Sequence, residues 1–202
     1  MFTCSDINNL FTVAIENRKN TLYEPIVKSE GVHPVDAQLL TATIELSKPK
    51  IILEIGTNKG WSAGHMVQNV EFPAMLVTCD TNGSLPHSFS DKRVHFIHGN
   101  VDTALQFLKE QSVLPIDMCF IDGDHSYSGV AYDAAKVVGV LSKDALVVAH
   151  DVASADDVYD TKYTVDAGLA TEFNKEKNWC KHRPTFIDGP YCILQSAIFH
   201  RI

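Results

Sequence analysis

The sequence lacks the features that mark several protein classes. Its longest purely apolar runs are short, such as residues 145–149, whereas a membrane span needs about 20 apolar residues. Low-complexity segments, glycine–serine linkers, repeats and a hydrophobic signal core are also missing. Only 17 lysines and arginines accompany 25 acids, for a formal charge of −8. We therefore expect no membrane span, no secretory signal and no broad nucleic-acid binding, which needs a basic surface.

The cysteine pattern is not that of a disulfide framework. The five cysteines stand at positions 4, 79, 119, 180 and 192, and no two have CxxC spacing. Their number is odd, and Cys79 and Cys119 lie inside apolar, strand-like runs. This pattern favours reduced, buried thiols and a cytoplasmic location.

The length and composition fit an ordinary globular chain. The 202 residues are enough for one sizeable domain, and 45% of them are hydrophobic. Apolar spacing predicts one amphipathic helix over residues 5–19 and a second after Pro34, which Pro49 ends. We expect one domain over residues 1–202, with 1–48 as a helical N-terminal cover and 50–202 as the core.

From residue 50 onward, strand-like runs alternate with helical patterns. Helices are predicted around residues 63–70, 101–108, 130–141 and 165–173. Two β-rich runs within residues 184–202, split by a turn at 188–190, predict a hairpin that puts an antiparallel strand on the sheet edge. Short runs that are apolar on both faces predict parallel strands at residues 50–55, 75–80, 94–97, 116–122 and 145–150. The alternation predicts an open, doubly wound α/β sheet with helices on both faces.

A glycine turn follows the first predicted strand. Glu54, Gly56 and Gly60 form the pattern E-x-G-x-x-x-G, which is not the dinucleotide fingerprint GxGxxG. Glycines permit a sharp turn, and the following helix offers free N–H groups to a ligand. Asp80 ends the second strand about 20 residues later, where an acid can bind ribose hydroxyls. The glycine turn and Asp80 together predict a nucleoside-binding site. The alternative is that the turn is a plain βα connection without a ligand. Asn100 either helps to hold an adenine or caps the next helix.

Acids and histidines cluster after the fourth and fifth predicted strands. If these strands are neighbours, one cavity mouth collects all of them. Carboxylates with an imidazole suit Mg²⁺ or Mn²⁺, and a histidine suits a general base. The alternative is that Asp122 and Asp151 cap the following segments and the histidines are structural. The spacing selects no partner for His182 or His200. The clustered residues are Asp122, Asp124, His125, His150 and Asp151.

Four blocks of the sequence resemble a known family when taken in order. LEIGTNKGWSA, VTCD, FIDGDHSYSGVAYDAAKVVGVL and LVVAHDV are similar to class I S-adenosylmethionine-dependent methyltransferases. The nearest branch is that of small-molecule O-methyltransferases that includes macrocin O-methyltransferase-like enzymes. The resemblance covers roughly residues 35–155. It implies a Rossmann-like, doubly wound, seven-stranded sheet, mostly parallel with an antiparallel C-terminal strand, and S-adenosylmethionine as cofactor.

The resemblance also implies roles by position. Asp122 and His125 would be catalytic, with His125 as the general base. Asp122, His150 and Asp151 take the positions that bind Mg²⁺ in metal-dependent relatives, although an acid at 150 would suit Mg²⁺ better than histidine. A divalent metal, Mg²⁺ or Mn²⁺, is thus a second expected cofactor. The implied cofactor-binding residues are Glu54, Gly56, Thr57, Asn58, Gly60, Trp61, Ser62, Asp80, Asn100 and Asp122.

The implied function is methyl transfer from S-adenosylmethionine to a hydroxyl of a small-molecule acceptor, with possible metal assistance. An NAD-linked oxidoreductase is one alternative, and the missing GxGxxG counts against it. A non-catalytic nucleoside-binding module is another. We expect a small-molecule partner and neither nucleic acid nor membrane. The oligomeric state stays open, with a homodimer among the arrangements.

Overall fold

A computed structural model of the chain shows helices and strands in the alternation that the sequence predicts. The residues it describes are 2–17, 32, 34–68, 75–82, 90–152, 169, 172–173, 175, 179–182 and 196–201. The helices are α1 (Cys4–Asn17), α2 (Pro34–Ser47), α3 (Trp61–Gln68), α4 (Val101–Glu110) and α5 (Tyr127–Val138). The strands are β1 (Ile51–Ile55), β2 (Met75–Asp80), β3 (Val94–His98), β4 (Ile116–Ile121), β5 (Leu141–Ala149), β6 (Trp179–His182) and β7 (Ala197–Arg201).

Seven strands within the described residues form one sheet. Their order is β3-β2-β1-β4-β5-β7-β6. The first five pair in parallel, whereas β7 runs antiparallel to both of its neighbours, β5 and β6. The predicted mostly parallel sheet with an antiparallel C-terminal strand is therefore confirmed. The order reverses beside β1, and open sheets bind ligands at this kind of switch point.

The C-terminal strand pair differs in place from the predicted hairpin. The strand that pairs with β7 is β6, which precedes residue 184, and β6 rather than β7 forms the sheet edge. This strand depends on tertiary contacts, because Trp179 packs edge-on against Phe173 with ring centroids 4.9 Å apart. The predicted turn at 188–190 and most of the predicted helix at 165–173 lie outside the described residues.

The end of α5 also differs from the prediction. The helical pattern was extended to residue 141, but α5 ends at Val138 and β5 already begins at Leu141. Leu141 pairs with Ile116 at the start of β4, before a shift in register along the two strands. Leu141 therefore fits the apolar spacing of a helix in the sequence, although in the fold it is a buried strand residue.

Two apolar layers enclose the sheet. Successive strand residues point to opposite faces, so Ile52 packs with α1, α2 and α3 while Leu53 packs with α4 and α5. Each fully buried leucine or isoleucine contributes about 1.5–3 kcal/mol relative to an exposed one. This double burial explains why the strands read as continuous apolar runs. None of the helices within the described residues is long and apolar enough to cross a membrane.

Candidate active site

A cavity of about 920 Å³ opens at the carboxyl ends of the central strands. Glu54 and Gly60 are the predicted site residues that are not part of its described lining. The cavity brings the glycine turn and the acid–histidine cluster to one place, as adjacent parallel strands require. The predicted residues that line it are Gly56, Thr57, Asn58, Trp61, Ser62, Asp80, Asn100, Asp122, His125, His150 and Asp151.

The turn after β1 has the backbone that its glycines permit. Gly56 has φ 100° and Gly60 has φ 75°, both in the region that favours glycine. The Gly56 amide donates to the Cys79 carbonyl oxygen at 2.9 Å, which ties the turn to β2. The Gly60 amide closes the turn on the Thr57 carbonyl oxygen at 2.7 Å. Helix α3 begins directly afterwards, so its first N–H groups stand at the cavity.

Asp80 connects this turn to the end of β2. Its Oδ2 accepts a hydrogen bond from the Asn58 amide at 2.8 Å, and its Oδ1 accepts one from the Asn82 amide at 2.7 Å. These two bonds orient the Asp80 carboxylate at the cavity wall, and a carboxylate has about four acceptor positions in all. Asp80 therefore lines the cavity as its predicted contact with a ribose requires.

Glu54 lies beneath the turn rather than in the cavity. Its buried carboxylate accepts hydrogen bonds from Ser62 and from Thr78, the latter at 2.5 Å. Burial raises the pKa of Glu54 to about 8, although the two hydroxyl donors act in the opposite direction. Glu54 therefore joins the first turn of α3 to β2 beneath the glycine turn. It affects the shape of the cavity through these two elements and not by lining it.

Asn100 caps α4. Its Oδ1 accepts hydrogen bonds from the Asp102 amide at 3.1 Å and from the Thr103 amide at 3.3 Å. Asn100 also lines the cavity. One of the two roles left open by the sequence is thus visible in the structure, and a contact with an adenine remains a prediction.

Asp122 and Asp151 face each other across two histidines. His125 Nδ1 lies 2.9 Å from Asp151 Oδ2, and its Nε2 lies 3.5 Å from Asp122 Oδ1. His150 Nδ1 lies 3.0 Å from Asp122 Oδ1 and 3.3 Å from Asp151 Oδ1. Asp151 adopts φ 55°, in the left-handed region that non-glycine residues enter rarely, with aspartate among the more frequent ones.

Asp124, the fifth member of the predicted cluster, lines the same cavity but makes different contacts. Its Oδ1 accepts a hydrogen bond from the Ser126 amide at 2.8 Å, in the turn that leads into α5. Its carboxylate is also packed against Gly129, where a Cβ would lie 2.3 Å from Asp124 Oδ2. The contacts of Asp124 therefore hold the turn that leads into α5.

The two acids hold the two histidines in their charged form. Hydrogen bonding to Asp122 and Asp151 raises the pKa of His125 to about 10, against the opposing effect of burial. Burial lowers the pKa of His150, but the charge of Asp122 and the other acids outweighs this and raises it to about 10. The histidines in turn lower the pKa of Asp122 and of Asp151 despite their burial. The group is thus an interlocked set of charges.

The sequence did not identify Asp36, which lies behind this cluster. Asp36 belongs to α2 and is fully buried, its Oδ1 accepts a hydrogen bond from Ser196 Oγ at 2.5 Å, and its Oδ2 lies 3.9 Å from His150 Nε2. Within α2 it reads as an acid in the first helical turn, which is the usual place for one. Only the packing of α2 on the sheet shows that it faces His150.

Asp133 is a second acid that the sequence reading missed. It lines the cavity from α5, and burial raises its pKa to about 7, with Asp124 and Asp102 contributing. A signal was present, because Asp133 falls on the buried helix face beside Val130 and Ala134. An acid within an apolar stripe is an unusual placement that marks a candidate site residue.

The donor set suits a divalent cation. One ligand atom each from Asp122, His125 and Asp151 lies within 4.8 Å of the others. Two carboxylates and an imidazole match the preferences of Mg²⁺, Mn²⁺ and similar ions. The structure places His125, the expected base, within this group, while His150 approaches the same carboxylates from the buried side.

Comparison with known proteins agrees with the fold and the cavity. The family model described as a methyltransferase domain matches residues 53–152, which include the glycine turn, Asp80 and the acid–histidine cluster. No match was found among curated proteins. Residues 53–152 are therefore a methyltransferase domain, and the resemblance to the S-adenosylmethionine-dependent methyltransferases is confirmed.

Several solved structures share this fold at low sequence identity. TomG, an O-methyltransferase of Streptomyces achromogenes solved with S-adenosylmethionine, has a TM-score of 0.64 at 16% identity over 99% of this chain and 91% of its own. An O-methyltransferase of Bacillus cereus with S-adenosylhomocysteine has a TM-score of 0.63 at 16% identity over 98% and 91%. MycE of mycinamycin biosynthesis, solved with Mg, S-adenosylhomocysteine and mycinamycin VI, has a TM-score of 0.59 at 15% identity. This chain covers 54% of MycE.

Proposed function

We propose that the protein methylates a hydroxyl group of a small molecule with S-adenosylmethionine. The observation that carries this proposal is the meeting of two groups of residues in one cavity. The turn from Gly56 to Ser62 and Asp80 form one side, and Asp122, His125 and Asp151 form the other. The likeness to O-methyltransferases solved with this cofactor or its product supports the same reading.

The first side fits the cofactor. Asp80 would bind the ribose hydroxyls, because its carboxylate is oriented at the cavity wall. The N–H groups in the first turn of α3 would bind the carboxylate of the methionine part. Asn100 would stand near the adenine. When bound, S-adenosylmethionine supplies an electrophilic methyl group on a sulfonium, so the protein mainly has to align the acceptor with it.

The second side would prepare the acceptor. His125 lies on the cavity wall and is about half exposed, so an acceptor hydroxyl can reach it. With both acids unneutralised its pKa is about 10, and the imidazole keeps its proton at neutral pH. His125 can therefore accept a proton as general base only when positive charge offsets Asp122 and Asp151.

Asp122 and Asp151, with an imidazole nitrogen of His125 or His150, would hold a divalent cation such as Mg²⁺ or Mn²⁺. Such an ion would lower the pKa of the acceptor hydroxyl and supply the missing positive charge. The pKa of Asp122 and that of Asp151 are both lowered, so both carboxylates are charged and able to bind a cation. His150 would keep Asp122 in place from the buried side.

We also propose that residues 1–202 form one methyltransferase domain. Residues 1–48 would be its helical cover, since α1 and α2 pack on the same face of the sheet. The small-molecule acceptor would enter beside His125.

Two alternatives to methyl transfer are an NAD-linked oxidoreductase and a non-catalytic nucleoside-binding module.

Calorimetry followed by a methyl-transfer assay tests the proposal. We expect S-adenosylhomocysteine to bind and NADH not to bind. We expect labelled methyl transfer from S-adenosylmethionine to at least one member of a panel of phenols, sugars and polyketide alcohols. Binding of NADH instead would favour the oxidoreductase, and product binding without turnover across the panel would favour the binding module.

The roles of the base and the metal are tested on the acceptor found. His125→Ala should lower kcat by about 100-fold or more, which is the usual contribution of a general base. The matched control is His98→Ala, at an exposed position of β3 that is not part of the described cavity lining. A near-normal rate for His125→Ala would remove the base assignment. An unchanged rate after exhaustive chelation would remove the metal.

A further inference from the structure

Two cysteines and a histidine meet where α1 crosses the edge of the sheet. Cys4 is the first residue of α1, and Cys180 and His182 belong to the edge strand β6. One ligand atom from each of the three lies within 4.8 Å of the others. The proposed methyl transfer uses none of these residues, and tertiary packing alone brings position 4 next to position 180.

The strand geometry places the donors on one face. Cys180 and His182 are two residues apart in a strand, so their side chains point the same way. Cys180 is paired with His200 of β7, which adds a second imidazole beside the two. Helix α1 lies over this face, because Asn8, one turn after Cys4, has its Oδ1 3.0 Å from His182 Nδ1.

The His182 ring is held on both sides. Its Nε2 lies 3.1 Å from His200 Nδ1, and both histidines are almost fully buried, with 8% and 2% of their surface exposed. Since Asn8 Oδ1 can only accept, Nδ1 of His182 donates to it and Nε2 accepts from His200. In this arrangement the ring is neutral, and its one nitrogen lone pair, on Nε2, faces His200. Hydrogen-bonded imidazoles of this kind are the usual orientation of metal-binding histidines.

We propose that Cys4, Cys180 and His182 bind a divalent metal ion of the zinc class, at a site separate from the candidate active site. Thiolate and imidazole donors select Zn²⁺ over Mg²⁺, whereas the carboxylates of Asp122 and Asp151 have the opposite preference. His200 is the hydrogen-bond partner of the His182 ring beside the three ligands. A bound ion would replace one hydrogen bond of the His182 ring.

A metal ion at this site would cross-link two distant parts of the chain. Zn²⁺ bonds of about 2.0–2.3 Å would join the first turn of α1 to the edge strand β6. The chain between Cys4 and Cys180 contains the entire parallel sheet, so the ion would link the N-terminal cover to the last strands. Binding to the folded state alone stabilises that state in proportion to the ion's concentration.

The test uses the full chain, purified under reducing conditions and stripped of metal. Zn²⁺ affinity is measured by competition with a chromophoric chelator, and Co²⁺ is then bound as a spectroscopic probe. We expect thiolate-to-cobalt charge-transfer bands and a higher Tm with Zn²⁺. Cys4→Ser should lower Zn²⁺ affinity by more than the roughly 10–100-fold that loss of an outer hydrogen-bond partner costs. It should also remove part of the charge-transfer absorption.

Two controls keep the result interpretable. Cys4 is exposed at the start of α1, so Cys4→Ser should keep the native circular dichroism even if Cys180→Ser does not fold. Asp151→Asn disables the oxygen-rich group in the cavity and should leave the charge-transfer bands intact. Zn²⁺ affinity unchanged in Cys4→Ser, or Co²⁺ binding without thiolate bands, would overturn the proposal. A Cys4–Cys180 disulfide that forms in the Zn²⁺-loaded protein despite the reducing buffer would do the same.

Discussion

Gly56 and Asp122 touch through their backbones at the carboxyl edge of the sheet. A Cβ on Gly56 would lie 2.1 Å from the Asp122 carbonyl oxygen, a separation that real Cβ atoms essentially never show. The Asp122 amide also donates to the Ile55 carbonyl oxygen at 2.8 Å. The cofactor turn and the strand end that carries the first acid therefore form one unit, and a change in the turn displaces Asp122 as well.

Gly56→Ala should damage both stability and cofactor binding. The substitution forces a side chain into φ 100° and against Asp122. We expect a loss of about 2–4 kcal/mol in the free energy of unfolding and a large loss of S-adenosylhomocysteine affinity. Gly139→Ala is the matched control, because a Cβ there meets nothing within 4 Å. Thermal melts and calorimetry that do not separate the two variants would contradict this account of the turn.

Asp80→Asn should weaken cofactor binding without unfolding the protein. The amide keeps one oxygen for the Asn58 or Asn82 amide but loses the charge that hydroxyl donors favour. Hydrogen bonds to a charged group contribute about 1.5–3 kcal/mol, so S-adenosylhomocysteine affinity should fall about 10–100-fold by calorimetry. Asp144→Asn, in the amino-terminal half of β5, should bind as the wild type does. Equal S-adenosylhomocysteine affinities in the two variants would show that Asp80 does not bind the ribose.

Glu54→Gln should change how stability depends on pH. The pKa of Glu54 is raised from 4.5 to about 8 in the folded protein, so the folded state binds an extra proton between these values. The contribution of the protonated group is complete below about pH 4.5 and is lost as the pH rises through about 8. Glutamine resembles the protonated acid at every pH.

Urea unfolding of both proteins across this range measures the effect. The wild type should lose a few kcal/mol relative to Glu54→Gln between about pH 5 and about pH 8, since one pKa unit is about 1.4 kcal/mol. His125 and His150 also have raised pKa values, but both proteins contain them and their effect cancels in the difference. Parallel stability curves would show that Glu54 is ionised in its buried place.

Asp36→Asn should lower the pKa of His150. Asp36 is one of the acids whose charge raises that pKa to about 10. Its removal should lower the value by about 1 unit in an NMR titration, while the pKa of His125 stays in place. Ser196→Ala is the control that deletes the hydrogen bond to Asp36 but keeps its charge. A similar shift in both variants would mean that packing, and not charge, links α2 to His150.

Local patterns predicted the elements that depend on local forces. Four of the parallel strands, β1, β2, β4 and β5, were visible because most of their residues are buried, so that each contains a short apolar run, whereas β3 is only partly buried. The turn after β1 was visible because its backbone needs positive φ at Gly56 and Gly60. Strand β6 was not, because its pairing with β7 and the packing of Trp179 are set by distant residues.

The same division holds for the candidate site. Asp80, Asp122 and Asp151 lie at or just after the ends of predicted parallel strands, and such ends meet at one edge of a sheet, so their shared cavity could be predicted without the structure. Tertiary structure decided which contacts each acid makes. Asp36 reaches His150 from a helix 114 positions earlier in the chain, and Asn8 reaches His182 across 174 positions. Side-chain packing between distant elements leaves no periodic signal in either segment, and only the folded arrangement reveals it.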